Sequence, residues 1–429
     1  MSITQYEFEM LSDPQCLQFY REDYEEDGIQ GIPIRNYSRI FFTDSIFTLF
    51  PLGEIYYKDH SGLISDKVFF VEGLEFKAKL GYEKTEETLE DGTVVEDGGY
   101  LEHEYVWSES QFNNVQISNA LSGDIVFLLL SKYYKDDHPK CLTFNHENHS
   151  QFKTISQILK EDILPSWGFL EEKYKDTISD TVGTPYLNQL NMTNRQFIKL
   201  LAEYSYSQNF VTSGFYTFIN CNGEFYYMTI QEMLNQPSVM KYKIDLTESM
   251  TIDKNIIKDY TILHGGLPVN KENYNRKFFH YGPDGEVVTE DKHIQDSVSD
   301  VSTLTKLLVR KQYIPATPSD VKYMGILSSI DTEMYNGYKN YFYRDTALCY
   351  RMVLVVQFDH KLVSGKTVEI EIEKANNDNE IATEYSGKWL ICESSHTINE
   401  EGIPYSQLVI SKPKIQIDKD HVFYDDFVK

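Results

Sequence analysis

Residues 348–358 read Leu348-Cys-Tyr-Arg-Met-Val-Leu-Val-Val-Gln-Phe358, an apolar run rich in β-branched side chains. A polar turn ending at Gly365 separates it from Lys366-Thr-Val-Glu-Ile-Glu-Ile372, in which polar and apolar residues alternate strictly. An acidic, Asn-rich loop to Ser386 leads into Gly387-Lys-Trp-Leu-Ile-Cys-Glu-Ser-Ser-His-Thr-Ile398. Beyond another turn comes Tyr405-Ser-Gln-Leu-Val-Ile-Ser411. Period-two alternation bounded by Gly, Asn and Pro is the pattern of half-buried antiparallel strands. Four such runs between 348 and 413 are enough to curl into a small barrel.

A second stretch repeats the pattern. Strands are expected over Ile32 to Phe42 and Ser45 to Phe50, the latter continuing through Gly53 to Tyr57. Others are expected over Phe69 to Tyr82, with a clear alternation at Leu74 to Leu80, then over Tyr100 to Trp107 and Asp124 to Tyr133. The Glu-, Thr- and Gly-rich residues 84–99 read as a hairpin tip. The likeness in length and alternation predicts two copies of one barrel. The acidic residues before about position 30 read as an arm or short helix.

Between the two copies the period changes. Ser150 to Ile163 puts Phe152, Ile155, Ile158, Leu159 and Ile163 on one helical face. Thr193-x-x-Gln196 fits a capping box, with Met192 and Phe197 as its hydrophobic staple. Phe197, Ile198, Leu200, Leu201 and Tyr204 then form the buried stripe. Asn222-Gly223 sits between two alternating runs, Gly214 to Ile219 and Glu224 to Thr229, which is a hairpin signal. Lys241 to Leu246 and Tyr260 to His264 read as further strands of the second barrel. Asn270 to Asp331 is polar and irregular, with a turn at Tyr281 to Gly285 and a short helix marked by Val301, Leu304, Leu307 and Leu308. A second helical stripe runs through Met334, Tyr335, Tyr338, Tyr341 and Phe342.

Composition narrows the function. The apolar share of 41% belongs to a folded protein, and 429 residues suffice for several domains. Thirty-two Tyr and 25 Phe favour strands, and Tyr also populates contact surfaces. With 40 basic against 66 acidic residues, a net charge of −26, the chain should repel nucleic acid and anionic membrane. The five cysteines (16, 141, 221, 349, 392) are scattered without a CxxC pair, which points to a reducing compartment. The first residues carry neither a basic nor an apolar region of a signal peptide, and no apolar run is long enough to span a bilayer.

Catalytic signatures are missing: there is no HExxH, GxSxG, GxGxxG or kinase set. Gly365-Lys366-Thr367 looks like the end of a phosphate loop, but His360 stands where the first Gly belongs and Thr367 opens a strand instead of a helix. His138, Cys141, His146 and His149 carry nitrogen and sulfur donors, yet their H-x2-C-x4-H-x2-H spacing matches no standard zinc module. Glu102 with Glu104 and Glu369 with Glu371 alternate on strands, as solvated faces do. His396 reads as part of a strand's packing. No catalytic residue, cofactor site or metal site is therefore assigned.

Four stretches, taken in order, resemble the baseplate hub proteins of contractile phage tails. They are Gly123 to Ser131, Asn194 to Tyr204 leading to Phe215-Tyr-Thr-Phe-Ile, the Tyr-rich segment from Tyr335 to Phe358, and Ser386 to Ile398 with Tyr405 to Ile410. The group takes in T-even hubs, the late control protein of P2-like phages and the N-terminal part of type VI secretion spike proteins. The resemblance implies an α+β, mostly β fold with two tube-like barrel domains at 31–135 and at 238–268 plus 333–413. An α+β insert would occupy 136–237 plus 269–332, an arm 1–30 and a tail 414–429. It implies a non-enzymatic homotrimer, a pseudo-hexameric ring between a hexameric tail tube or tube initiator and a trimeric central spike, with the tape measure protein as a further candidate partner. DNA would cross its channel, with no membrane contact; the ring would belong to the virion baseplate and assemble in the host cytoplasm. Two other readings are a spike-base protein of a contractile secretion or injection system and, in another class, a peptidoglycan hydrolase or metal-dependent tail enzyme.

Overall fold

The computed structural model describes residues 17–20, 37–59, 75–88, 94–117, 121–145, 152–182, 184, 187–205, 207, 215–244, 256–257, 259–264, 277–281, 287–291, 348, 350–372, 385–398 and 404–412. The first part supplies β1 (Leu17–Tyr20), β2 (Tyr37–Ser45), β3 (Leu52–Asp59), β4 (Glu75–Thr88), β5 (Val94–Ile117) and β6 (Leu121–Ser131). The middle begins with β7 (Lys140–Phe144) and α1, which runs from Ile155–Ile158 through a π turn at Leu159–Ile163 to Leu164–Ser166. It continues with β8 (Leu187–Met192), α2 (Asn194–Tyr204), β9 (Phe215–Ile219), β10 (Phe225–Thr229) and α3 (Ile230–Asn235). The last part holds β11 (Ser238–Ile244), β12 (Ile256–Ile257), β13 (Asp259–His264), β14 (Lys277–Tyr281), β15 (Val287–Asp291), β16 (Tyr350–Gln357), β17 (Thr367–Ile372), β18 (Gly387–Ile398) and β19 (Pro404–Lys412). The chain is α+β and mostly β, as its alternation predicts.

Two sets of five strands are wired alike. In the N-terminal set the order is β2–β3–β6–β5–β4, antiparallel throughout. In the C-terminal set it is β13–β16–β19–β18–β17, again antiparallel throughout. In both, the first two strands pair, the last three form a meander, and the meander's final strand returns beside the second. The likeness in alternation thus has a topological counterpart.

Closure differs from the expected pair of separate barrels. β2 pairs with β18 from Glu393↔Ser45 to Ile398↔Ile40, so both sets belong to one sheet. A register shift at Ile391/Glu393 explains this: residues 387–390 pair with β17, whereas 393–398 pair with β2. A bulge bends its strand and redirects the ladder. Beyond β17, β11 runs parallel, and the segment 256–264 touches β11 at Lys243↔Ile256 and Ile244↔Ile257 before pairing with β16. Among the described residues those two pairs bring the C-terminal strands nearest to a circuit, and no closed barrel is formed. The N-terminal path, among the described residues, ends at β4 and β1 without returning to β2.

Three cores follow. In the C-terminal set alternate residues of six strands converge, among them Tyr242, Ile257, Leu354, Ile370, Trp389 and Leu408. The middle part has its own core around Ile158, Trp167, Phe197 and Phe225. A third cluster draws Ile46 from the first part, Phe218 and Tyr226 from the middle and Leu390 from the last.

Several expectations are corrected. Of the stretch Ser45 to Phe50, only Ser45 belongs to a strand, as the end of β2; Ile46 to Phe50 form a turn. Its backbone is used elsewhere: Ile46 N–H donates to Cys392 O, and Leu49 O accepts from Ile219 N–H. Ile46 therefore enters the third core and Phe50 the middle one. Leu17–Tyr20 pairs with β4 as a strand rather than forming a helix. Phe152 is exposed, off the buried face of α1. Within the stretch read as irregular, β14 and β15 pair as a hairpin. The residues 84–99 do form one, with Thr85↔Asp97 to Thr88↔Val94 in register. The helices expected at Val301 to Leu308 and Met334 to Phe342 lie outside the described residues.

Candidate functional site

Asp44 is where the three parts of the chain meet. Along β2, Ile40, Phe42 and Asp44 face inward and each is 2% exposed, so alternation carries a carboxylate into a core position. A buried charge must be hydrogen-bonded. Asp44 accepts from Cys221 N–H at 2.6 Å, in the β9–β10 turn. It accepts from Ser364 N–H at 3.1 Å, in the turn between β16 and β17, and from the Ser394 hydroxyl at 2.6 Å, just past the β18 bulge.

The chain of bonds continues through His396. Two residues along the same strand, it shares a face with Ser394; its Nε2 lies 3.3 Å from Ser394 Oγ and its Nδ1 2.9 Å from Ser406 Oγ. The Ser394 proton is committed to the carboxylate, so Ser394 accepts from Nε2–H and Nδ1 accepts from Ser406. Ser394, His396 and Ser406 are fully buried, and the Phe358 ring meets the imidazole edge-on at 5.4 Å. Burial pushes the His396 pKa down to about 4, although Asp44 and Asp359 pull the other way.

The β9–β10 turn is clamped from both sides. Gly223 adopts φ +70° and lies so close to His103 that a Cβ would sit 2.8 Å from its Nδ1. His103 is buried, bonds Ser131 Oγ at 2.9 Å, and is pushed down to about 3 by burial, then by Lys132 and Lys173. Lys173 Nζ donates to Asn222 O at 2.9 Å, Asn222 Nδ2 to His360 O at 3.0 Å, and Lys366 pairs with Glu224 at 3.3 Å. Burial raises the Glu224 carboxyl, but Lys366, Asn220 and Tyr226 outweigh it and hold it below its usual value. Burial, then Asp44, pushes the Cys221 thiol far up, which makes it a poor nucleophile.

Asp, His and Ser together suggest a hydrolase, but the order is wrong for one. A triad needs histidine between the carboxylate and the nucleophile. Here Ser394 separates Asp44 from His396, and the whole chain is sealed from solvent. What this arrangement does is fasten β2, the middle hairpin and β18 to one another.

The residues weighed from sequence lie elsewhere. His138 and Cys141 are exposed, and His146 and His149 lie outside the described residues. Among the described residues no group of three His, Cys, Asp or Glu side chains could hold a metal ion. Glu104 pairs with Lys132, while Glu369 and Glu371 pair with Lys241 at 3.9 and 3.0 Å, so these carboxylates are matched by lysines across the ladder. Thr367 opens β17, and Lys366 is engaged with Glu224. Sequence reading missed Asp44 because it fell between two expected strands. The available signal was an acid in phase with Ile40 and Phe42.

No family model matches the chain, and no curated protein does. Solved structures do. The tail protein from Neisseria meningitidis MC58 superposes with a TM-score of 0.50 over 92% of this chain and 96% of its own, at 8% identity. The chain shares the fold of that protein. Looser matches are the 43 kDa tail protein of prophage MuSo2 from Shewanella oneidensis (TM-score 0.47, 12% identity, 93% and 99% covered) and a chain of the Francisella PdpA–VgrG complex (0.46, 10%, 94% and 53%). The Neisseria structure agrees with the resemblance to baseplate hubs at the level of fold.

Proposed function

We propose that this protein is a baseplate hub subunit of a contractile tail, a structural component without catalysis. The observation that carries this reading is the repeated strand order, β2–β3–β6–β5–β4 and β13–β16–β19–β18–β17, within one chain. Two alike units per subunit let three subunits present six, so a ring of threefold symmetry can meet a hexameric tube on one side and a trimeric spike on the other. The tail-protein fold of the Neisseria structure supports the same setting. In this reading the domains are the two five-strand units with the middle part as an insert, and the net charge of −26 keeps DNA from adhering as it passes.

The test is the assembly state of the purified chain, by light scattering and class averages, across ionic strength because like charges oppose association at low salt. Three copies in a ring with six similar lobes are expected, and addition of tube and spike proteins should cap its two faces. A chain that stays monomeric at high concentration and joins neither protein overturns the proposal.

A further inference from the structure

The Asp44–Ser394–His396–Ser406 chain joins elements far apart in sequence and has no solvent contact at His396. We propose that it is an acid-sensitive latch: when His396 takes up a proton, the β9–β10 turn and the 358–366 turn part from β2 while the rest of the fold persists. This goes beyond the hub reading and does not depend on it, since every group belongs to one chain.

The geometry gives the direction. Neutral His396 suits its two hydroxyl partners, donating from Nε2 and accepting at Nδ1. A protonated ring donates from both nitrogens, so the Ser406 hydroxyl must reverse its bond. The groups facing the imidazole are Asp44 on β2, Asp359 after β16 and the Phe358 ring; Cys221 and Tyr105 are neutral neighbours of Asp44. A cation drawn to Asp44 through Ser394 competes with the N–H groups of Cys221 and Ser364 for the same carboxylate. A buried imidazolium is relieved by admitting water. The elements that must part to admit it are those that Asp44 holds.

Burial alone favours the neutral ring, which stays so down to about pH 4, against 6.5 for a free histidine. Between those limits an opening that exposes His396 gains up to about tenfold per pH unit as pH falls. Hydrogen exchange read by mass spectrometry on the full chain from pH 7.5 to 4.5, corrected for intrinsic rates, tests this. Peptides covering 40–46, 218–224 and 360–366 should lose protection along that slope, while 352–356 and 368–372 keep theirs. In His396→Gln, whose amide can still donate to Ser394 but does not titrate, the slope should vanish at those three peptides. If that variant does not fold, NMR of the unsubstituted protein should find the folded His396 ring still neutral across the range in which protection falls, charging only near pH 4. A slope unchanged in His396→Gln, opening only together with 352–356, or a ring that titrates with no change in protection overturns the latch.

Discussion

The two five-strand sets share a strand order and differ in what fills them. The C-terminal set packs over an apolar centre: Trp389 is 1% exposed, donates its indole N–H to Tyr385 O and lies under Lys412, whose ammonium is 4.5 Å from the ring. Burial pushes that ammonium down to about 8. The N-terminal set keeps Ile40, Phe42, Ile55, Leu101 and Leu129 inside, but adds His103, Ser131 and Asp44 among them. Its interior faces the middle hairpin through polar contacts. Strand order, then, is compatible with different interiors: one set is filled by its own side chains, the other is completed by its neighbours.

The sharpest way to break that contrast is to hollow each set. Trp389→Ala removes the largest side chain of the C-terminal core and should cost about 4 kcal/mol, read from the denaturant midpoint. Phe42→Ala, which loses the stacked contact with Tyr105 at 5.3 Å, should cost about 3 kcal/mol, because a smaller side chain is removed. A Phe42→Ala cost equal to or above that of Trp389→Ala would show the two sets to be held in the same way.

Next in size is the turn that seats the C-terminal set on the middle part. Gly365 has φ +87°, and a Cβ there would lie 2.6 Å from Phe218. Gly365→Ala should cost about 3 kcal/mol from backbone strain and crowding together. Gly387→Ala, with φ +110° but open space around it, should cost about 1 kcal/mol from strain alone. Equal losses would mean that packing against the middle hairpin contributes nothing.

Acid probes the N-terminal set through His103. Its folded pKa of about 3 lies below the 6.5 of the unfolded chain, so below pH 6.5 the unfolded state binds more protons. Stability is therefore full above 6.5, falls with pH, and the loss is complete near 3. From pH 7.5 to 5 the expected loss is about 2 kcal/mol from His103 and about 2 kcal/mol from His396. His103→Gln should remove the first half of that slope and leave the second. An unchanged slope would place the proton uptake elsewhere.

Much of the fold was legible because its signals are local. The alternation of β16 to β19, the Asn222-Gly223 turn and the Thr193/Gln196 box each lie within a few residues, and each element forms there. The joining of both sets into one sheet was not, since Thr397↔Phe41 and Ser394↔Asp44 pair residues some 350 positions apart. Alternation states which face of a strand is buried, not which strand will lie beside it. The bulge at Cys392 that redirects β18 leaves no mark beyond an ordinary alternating run. The site suffered most, because Asp44 acquires its meaning only from donors at 221, 364 and 394.

The smallest effect separates local from long-range support. Thr193 accepts from Gln196 N–H at 3.3 Å, and Gln196 Oε1 accepts from Thr193 N–H at 3.1 Å, a closed box at the start of α2. Thr193→Ala should cost about 1 kcal/mol. Because α2, among the described residues, packs into the middle core through Phe197, Ile198 and Leu201, hydrogen exchange should rise in α2 and leave β2 and β18 unchanged. Faster exchange in β2 as well would show that the middle part and the N-terminal set open as one unit, so that the polar junction between them transmits even a frayed helix end.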